Sequence, residues 1–295
     1  MDRILVSGAS GPIGTALLAS LAPQGVEVVR LARGRASNAE QISWDPLAPV
    51  SPSAVSGFDA VIHLAGESVM GHWTEEKKKA IRESRVLGTR NLATALAQSK
   101  APRVFVCASA VGFYGNRGNE ILSEESPGGQ GFLPEVCREW ENASQIAADA
   151  GIRTVNIRIG LVLSTKGGAL AKMLMPFKLG LGGRIGSGQQ WCSWIHVDDI
   201  VGGIHHAMRT ESLLGPLSLV APNPVRNAEF TKVLASVLGR PAIFPVPEFA
   251  LRLVFGEMAV REMLLASQRV NPTKLASSGY AFQFPELRKA LENLV

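Results

Sequence analysis

Short, largely apolar runs alternate with helical patterns along the first 165 residues. The runs typical of strands are 3–7, 26–31, 41–44, 59–65, 103–109 and 153–159, and the helical patterns are 12–22, 74–98 and 135–150. Apolar strands that alternate with helices predict a parallel sheet covered on both faces. Ligands of such sheets bind outside the carboxyl ends of the strands.

The pattern changes after Leu163, where glycine becomes frequent. Residues 178–188 hold five glycines, which predicts either a lid that closes on a substrate or a plain connection. A short strand at 217–220 and a helix at 227–238 follow. We therefore predict a doubly wound α/β core over residues 1–165. A smaller, mainly helical lobe, with the glycine-rich loop, returning sheet elements and the substrate site, is predicted over 166–295.

A glycine-rich turn joins the first predicted strand to the first predicted helix. Gly8, Gly11 and Gly14 form a GxxGxxG pattern. In such a turn the first glycine permits a tight bend, the second admits a pyrophosphate, and the third lets the helix approach the sheet. The helix N-terminus adds unpaired N–H groups and partial positive charge. The turn predicts a Rossmann-type dinucleotide site, whose expected contacts are Gly8, Ser10, Gly11, Pro12, Ile13 and Gly14.

The end of the second predicted strand discriminates between the two nicotinamide cofactors. An NAD site usually carries an Asp or Glu there, about 20 residues after the glycines. This chain has Ala32 and Arg33 instead, and no carboxylate between Val28 and Glu40. A guanidinium suits a 2′-phosphate because it forms bidentate, charge-assisted hydrogen bonds. We expect NADP(H), with Ala32 and Arg33 as contacts.

Several motifs together resemble one known family. They include GASGPIG at 8–14, DAVIHLAG at 59–66, CASAVGFYG at 107–115, SWIHVDD at 193–199 and QRVNP at 268–272. This set resembles the extended short-chain dehydrogenase/reductases, in their atypical branch of epimerase family proteins. The resemblance spans nearly the whole chain.

The resemblance implies further contacts on the adenosine side of the cofactor. It places Asp45 near the adenine, and it brings Arg85 to the cofactor from the long helix. An ion pair on that helix is the alternative for Arg85. Contacts beneath the adenine-side ribose are implied for Leu64, Ala65 and Gly66.

The resemblance also implies residues on the nicotinamide side. Ser109 and the turn formed by Gly160 and Leu161 are expected to flank the nicotinamide ring. Glu67 follows the turn at 64–66 and is a candidate for substrate contact.

The usual catalytic pair of this superfamily is missing. It consists of a tyrosine and a lysine four residues later on one helix face, where the ammonium lowers the pKa of the phenol. Neither Tyr114 nor Tyr280, the two tyrosines, precedes such a lysine. Alignment of the helix at 135–150 places Leu133 and Cys137 at the two positions.

Ser109 and Tyr114 are the candidate replacements. Ser109 ends a predicted strand, and Tyr114 follows it on a loop with Arg117 three residues further on. A cation beside a phenol lowers its pKa, so Tyr114 is a candidate acid and Ser109 a candidate orienting donor. The alternative is that Tyr114 packs in the turn beside Gly112 and Gly115.

One further cluster, His196 with Asp198 and Asp199, invites a metal or triad interpretation. We favour a structural role, in which an aspartate caps a helix that begins near Ile200. No other pattern predicts a metal site.

Composition excludes several classes of protein. Apolar residues make up 46% of the chain and charged residues 19%, which excludes intrinsic disorder. A net charge of +5 without an aromatic-bearing basic stripe argues against nucleic acid and fits small anionic ligands. Three cysteines without a CxxC pair predict no disulfide framework and fit the cytoplasm. No apolar stretch reaches the length of a membrane span.

Two hypotheses for function follow. The first is an NADP(H)-dependent oxidoreductase or epimerase of atypical mechanism that acts on an unidentified small polar or nucleotide-linked substrate. The second is a non-catalytic NADP(H)-binding regulatory or scaffold protein. A homodimer through the long helices is expected by analogy of fold alone.

Overall fold

The computed structural model of this chain describes residues 1–34, 36, 38–99 and 102–295. Its strands are β1 Arg3–Ser7, β2 Glu27–Ala32, β3 Gln41–Ser43, β4 Ala60–His63, β5 Val104–Ala110, β6 Ile121–Leu122, β7 Arg153–Ile159, β8 Leu161–Leu163, β9 Trp191–Cys192, β10 Trp194–His196, β11 Gly215–Leu219, β12 Val225–Arg226 and β13 Arg269–Val270. Its α-helices are α1 Pro12–Leu21, α2 Glu75–Ser99, α3 Phe132–Asp149, α4 Gly168–Lys178, α5 Val197–Arg209, α6 Asn227–Val237, α7 Glu248–Phe255, α8 Glu257–Ala259, α9 Thr273–Ser277 and α10 Leu287–Leu294.

Seven parallel strands form the central sheet in the order β11-β7-β5-β4-β1-β2-β3. The chain runs outward from β1 to β3 and then returns to start again at β4. The direction of winding therefore reverses between β1 and β4, which is where a doubly wound sheet leaves a crevice. The predicted fold class is confirmed.

The core of the sheet is apolar because its middle strands are covered on both faces. Every residue of β4 is buried, and so are Val104 to Ser109 of β5. Helix α1 packs against α5, and α2 packs against α3. Continuous apolar strands of this kind are typical of parallel sheets.

The second half of the chain builds a smaller apolar cluster and also returns to the sheet. Phe177, Trp194, Phe230 and Leu234 are among the buried members of that cluster. Strand β11 pairs with β7, and α5 packs into the main core. The division of the chain at residue 165 therefore remains a prediction.

The glycine-rich segment is more ordered than its composition indicates. The sequence analysis missed helix α4, which begins at Gly168 and carries apolar residues at 170, 174 and 177 on its buried side. The loop after α4 is held by hydrogen bonds to two other parts of the chain. The Ile185 N–H donates to Asn227 Oδ1 at 2.7 Å, and the Val246 N–H donates to the Arg184 carbonyl at 2.8 Å. A lid movement of this loop, which stays a hypothesis, requires these bonds to break.

The C-terminal segment caps helix α3. Glu262 lies in the π-helical turn Val260–Leu264, and its carboxylate accepts the N–H groups of Phe132 (3.1 Å) and Leu133 (2.8 Å). These donors have no partner within the helix, and an anion there also interacts favourably with the helix dipole. Gly131 leaves room for it, since a Cβ at that residue would lie 2.8 Å from the Glu262 carboxylate. This contact joins the C-terminal segment to the start of α3.

Asp199 makes a second connection of this kind. Its buried carboxylate accepts the N–H groups of Gln283 (2.8 Å) and Phe284 (2.9 Å) and the hydroxyl of Tyr280 (3.1 Å). The aspartate therefore holds the segment before α10 against α5.

We predict that Asp199→Ala lowers the free energy of unfolding by about 3 kcal/mol, because it leaves buried donors without an acceptor. The neighbouring Asp198 is half exposed, so Asp198→Ala removes its interaction with the start of α5 and a 3.6 Å contact with His196, at a cost of about 0.5 kcal/mol. Urea unfolding of both variants measures the difference. Equal losses would show that the buried bonds of Asp199 contribute little.

Candidate functional site

The glycine turn lies at the crevice between β1 and β4. Gly8 has φ +69°, and a Cβ there would lie 2.6 Å from the carbonyl carbon of Leu64. A Cβ on Gly14 would overlap the Gly8 carbonyl. Gly11 is the N-cap of α1 and supplies no side chain to its first N–H groups. The geometry thus requires glycine at 8 and 14 and leaves the helix N-terminus open to a ligand.

Ser7 and His63 fix the two turns that form the base of the crevice. The Ser7 hydroxyl and His63 Nδ1 lie 2.6 Å apart, and both residues are buried. The same hydroxyl accepts the N–H groups of Leu64 (3.2 Å) and Ala65 (3.3 Å). One serine therefore sets the distance between the ends of β1 and β4.

A groove of about 550 Å³ opens above these turns. The predicted site residues that line it are Gly8, Ser10, Gly11, Ala32, Arg33, Leu64, Ala65, Gly66 and Glu67. The predicted site residues outside its lining are Pro12, Ile13, Gly14, Asp45, Arg85, Ser109, Tyr114, Gly160 and Leu161. The lining residues that the sequence did not predict are Ala9, Arg30, Leu31, Gln41, Trp44, Pro46 and Ser84. Trp44 and Pro46 flank Asp45, so the turn after β3 was the available signal.

Arg30 and Arg33 both border the groove, but their charges are differently placed. Arg30 pairs with Glu40 across β2 and β3, with 3.0 Å between Nη2 and the carboxylate. Arg33 is exposed and has no ion-pair partner within the described part of the chain. Arg33 is therefore the guanidinium that can bind an anion without first losing a carboxylate.

Arg85 lies directly beneath the turn at 64–66. A Cβ on Gly66 would lie 3.2 Å from the centre of its guanidinium, which stacks on Trp140 at 5.1 Å. Its Nη1 donates to the Ile81 carbonyl at 3.1 Å. Burial lowers the pKa of Arg85. Among the described residues it forms no ion pair, so the alternative of an ion pair on its helix is wrong.

Glu67 enters the groove beside these cations. Lys77 Nζ donates to its carboxylate at 2.6 Å, and the backbone N–H of Glu67 donates to Ser84 Oγ at 2.9 Å. The hydrogen bond from Lys77 is the main cause that lowers the pKa of Glu67, with Arg33 and Arg85 adding to it. Glu67 is thus an ionised carboxylate at the edge of the groove, and Lys77 balances its charge. Its contact with substrate stays a prediction.

Asp45 is exposed, and its hydrogen bonds are made within the turn after β3. Its Oδ1 accepts the Leu47 N–H at 2.9 Å, and its carbonyl accepts the Ala48 N–H. Adenine contact by Asp45 stays a prediction, since its neighbours Trp44 and Pro46 form the wall instead.

The candidate catalytic residues belong to a buried polar network. Ser109 Oγ donates to the Glu141 carboxylate at 2.6 Å, and Arg158 binds the same carboxylate through two N–H groups at 2.8 and 2.9 Å. Arg158 Nη1 also donates to the Tyr114 hydroxyl at 3.0 Å. The Tyr114 hydroxyl in turn donates to the Ser123 carbonyl at 2.9 Å.

The expected effect of Arg117 on Tyr114 is wrong. Arg117 instead pairs with Glu120, at 2.6 Å. Tyr114 is fully buried, and burial raises the pKa of its phenol despite the opposing charge of Arg158. The alternative of packing in the turn describes Tyr114 better, and its catalytic role stays an untested prediction.

The face of α3 that would carry the usual pair is apolar for two turns and then acidic. Leu133, Cys137 and Glu141 follow one another at four-residue spacing, so they share this face. Burial raises the pKa of Cys137 to about 12, which keeps it a neutral thiol. The Ser109–Glu141 hydrogen bond therefore lies one helical turn beyond the position of the missing lysine.

The remaining candidates have structural surroundings. A Cβ on Gly160 would overlap the Ser193 carbonyl, which accepts the Leu161 N–H at 2.7 Å. Nicotinamide contact by this turn stays a prediction.

Helix α5 begins at Val197, and its cap is His196 Nδ1, which accepts the Asp198 N–H at 3.1 Å. The expected aspartate cap is therefore wrong, although the structural role is right.

The described residues form neither a metal-binding cluster nor a membrane-spanning helix. No cluster of three or more His, Cys, Asp or Glu side chains could hold a metal ion. No described helix is both long and apolar enough to cross a membrane.

The sheet order and the glycine turn define a Rossmann-type protein of the short-chain dehydrogenase/reductase class. The NAD dependent epimerase/dehydratase family matches residues 4–216, and DUF1731, a domain of unknown function, matches residues 246–294. The chain therefore belongs to the NAD dependent epimerase/dehydratase family.

Similar proteins cover nearly the whole chain. Human epimerase family protein SDR39U1 is 38% identical over 298 residues, which is 99% of each chain. Its crystal structure with NADPH has a TM-score of 0.91 over 99% of this chain and 98% of that one. A nucleoside-diphosphate sugar epimerase from Corynebacterium glutamicum is 39% identical, with a TM-score of 0.82 over 98% of this chain and 57% of that one.

The buried His63 predicts a pH dependence of stability. Burial lowers the pKa of His63 to about 4 from its ordinary 6.5. As the pH falls from 6.5, the unfolded imidazole takes up a proton while the folded one stays neutral. The free energy of unfolding should therefore fall by about 3 kcal/mol from this group between pH 6.5 and 4.

His63→Asn keeps a side chain able to bond Ser7 and removes the titration. Urea unfolding at pH 7 and pH 4.5 should show a smaller loss for the variant than for the parent. Identical losses would contradict a neutral His63 in the folded protein.

Proposed function

We propose that this chain binds NADP(H) in the groove above the glycine turn. The observation that carries the proposal is the exposed Arg33 at the end of β2, which has no ion-pair partner among the described residues, while the nearby Glu67 carboxylate is already bound by Lys77. The crystal structure of the similar human protein with NADPH supports the same choice of cofactor.

The residues around the groove fit such a cofactor. The open N-terminus of α1 and the backbone at Gly8, Ser10 and Gly11 suit a pyrophosphate. Arg33 suits a 2′-phosphate through charge-assisted hydrogen bonds. Arg85 beneath the 64–66 turn adds a second cation, which forms no ion pair with any residue that the structure describes.

We infer that the reaction is an oxidation or reduction of a small polar or nucleotide-linked molecule. NADP(H) supplies hydride transfer when bound. Ser109 is the residue we assign to hold the reacting oxygen, because it ends β5 at the ligand-binding edge and shares a hydrogen bond with Glu141. The similar nucleoside-diphosphate sugar epimerase supports a nucleotide-linked substrate.

A second function, NADP(H) binding without turnover, is favoured by one observation. Ser109 and Tyr114 are 2% and 0% exposed, and both hydroxyls already donate to acceptors of the protein itself. A protein of this kind would report the state of the cofactor to a partner.

The choice of cofactor can be tested at Arg33. We predict that NADPH binds more tightly than NADH, and that Arg33→Ala weakens NADPH binding about tenfold or more by removing a charge-assisted contact. NADH binding should change little. Arg30→Ala is the matched control, since Arg30 pairs with Glu40. Titrations followed by nicotinamide fluorescence measure the affinities of the three proteins for both cofactors, and equal binding of both cofactors by the parent would contradict the proposal.

Turnover can be tested with the protein loaded with NADPH and a desalted small-molecule extract of cells. We predict that nicotinamide fluorescence decays with the parent protein and is stable with Ser109→Ala. Tyr114→Phe should retain turnover, because its phenol faces a carbonyl inside the protein. Stable fluorescence with every protein, at unchanged NADPH affinity, would favour the non-catalytic function.

A further inference from the structure

Two surface segments in the second half of the chain carry exposed apolar side chains at high density. The segments are 175–181 and 243–254, and their common surface is called the apolar patch below. Its members, between 61% and 79% exposed, are Met175, Leu179, Leu181, Ile243, Phe244, Phe249, Leu253 and Val254. Single exposed apolar residues are ordinary, but a continuous patch marks an interaction surface.

Backbone contacts make the patch continuous. Ile185 and Val246 form a parallel bridge, and the Gly186 N–H donates to the Val246 carbonyl at 3.2 Å. The chain after 180 therefore runs beside the chain after 241. In α7, which has no buried residue, Phe249 and Leu253 share a face at four-residue spacing. The helix presents this face outward.

A cationic pocket borders the patch. It has a volume of about 250 Å³ and shares Ile243 with the patch. Arg184, Lys232 and Arg240 line it, together with the hydroxyl-bearing Thr231 and Ser236, and its lining holds no carboxylate. In the described part of the chain these three cations form no ion pair.

The charge around the patch extends beyond the pocket. The segment 166–188 carries four basic residues and no acidic one. A second copy of this chain would bring the same cations together across a two-fold axis, where like charges repel. An anionic partner is attracted by the same cations, so charge complementarity favours it.

We propose that the apolar patch and the cationic pocket together dock on an anionic lipid surface. Apolar side chains of an interfacial helix enter the boundary between headgroups and acyl chains, and neighbouring cations bind the phosphate headgroups. The pocket takes a headgroup phosphate, and the patch contacts the lipid beside it. This surface lies apart from the NADP(H) groove, and it does not depend on the function proposed for that groove.

The test is flotation of the full-length protein with vesicles of phosphatidylcholine, alone or mixed with phosphatidylglycerol. We expect binding to the mixed vesicles only, and weaker binding as salt is added. Lys232→Ser combined with Arg240→Ser should reduce partitioning about tenfold or more, because each cation near such a surface contributes about fivefold. Phe249→Ser combined with Leu253→Ser should reduce it similarly.

Matched controls lie outside this surface. Leu214 is 63% exposed before β11, and Arg90 is exposed in α2, so Leu214→Ser and Arg90→Ser should bind vesicles like the parent. All variants should unfold in urea at the same midpoint as the parent, which verifies folding independently of cofactor binding. Absence of flotation by a folded parent, or equal flotation by all variants, would overturn the proposal. So would full displacement by inorganic phosphate, which indicates a soluble anion, or a patch-dependent dimer without vesicle binding.

Discussion

The ligand-binding edge of this protein depends on how closely two chain turns approach each other. The Ser7 hydroxyl bonds His63 and also accepts two N–H groups from the turn after β4. Gly8 makes this contact possible, since any side chain there would meet the backbone of Leu64. In a Rossmann fold the chain leaves two neighbouring strands in opposite directions, which opens a crevice. Here the turns after β1 and β4 are hydrogen-bonded to each other, and this contact forms the base of the groove. Arg85 packs beneath the turn after β4 that Ser7 holds, against Gly66.

Much of the first half could be predicted because its signals are local. Apolar runs, glycine spacing and the missing carboxylate after β2 each depend on a few adjacent residues. The choice between Arg30 and Arg33 illustrates the limit. The position of Arg33 about 20 residues after the glycines predicted its role from the sequence, but only the pairing of β2 with β3 shows that Glu40 lies at Arg30 and leaves Arg33 without it. Trp44 and Pro46 reach the groove through the same pairing.

Tyr114 shows how local reasoning fails. Arg117 is its neighbour in sequence, but the cation that contacts the phenol is Arg158, 44 residues away on β7. The pairing of β5 with β7 decides this, and Glu141 from α3 completes the buried ion pair. Helix α4 was missed for a related reason: glycine content suggested a loop, while its apolar residues at 170, 174 and 177 carried a helical period. The contact of Tyr114 with Arg158 could not be predicted because it depends on long-range strand pairing. Helix α4 could not be predicted from its glycine content, because only a weak apolar periodicity indicates it.

The cap on α3 has a consequence for how this chain can be divided. Glu262 lies within the segment matched by DUF1731, whereas the helix it caps lies within the segment matched by the epimerase family. Strand β13 pairs with β6 across the same boundary, and Asp199 holds the residues before α10. Neither matched segment can be exchanged or expressed alone without exposing donors that the other satisfies. The two names therefore describe parts of one structural unit, in which each segment supplies acceptors for the backbone donors of the other.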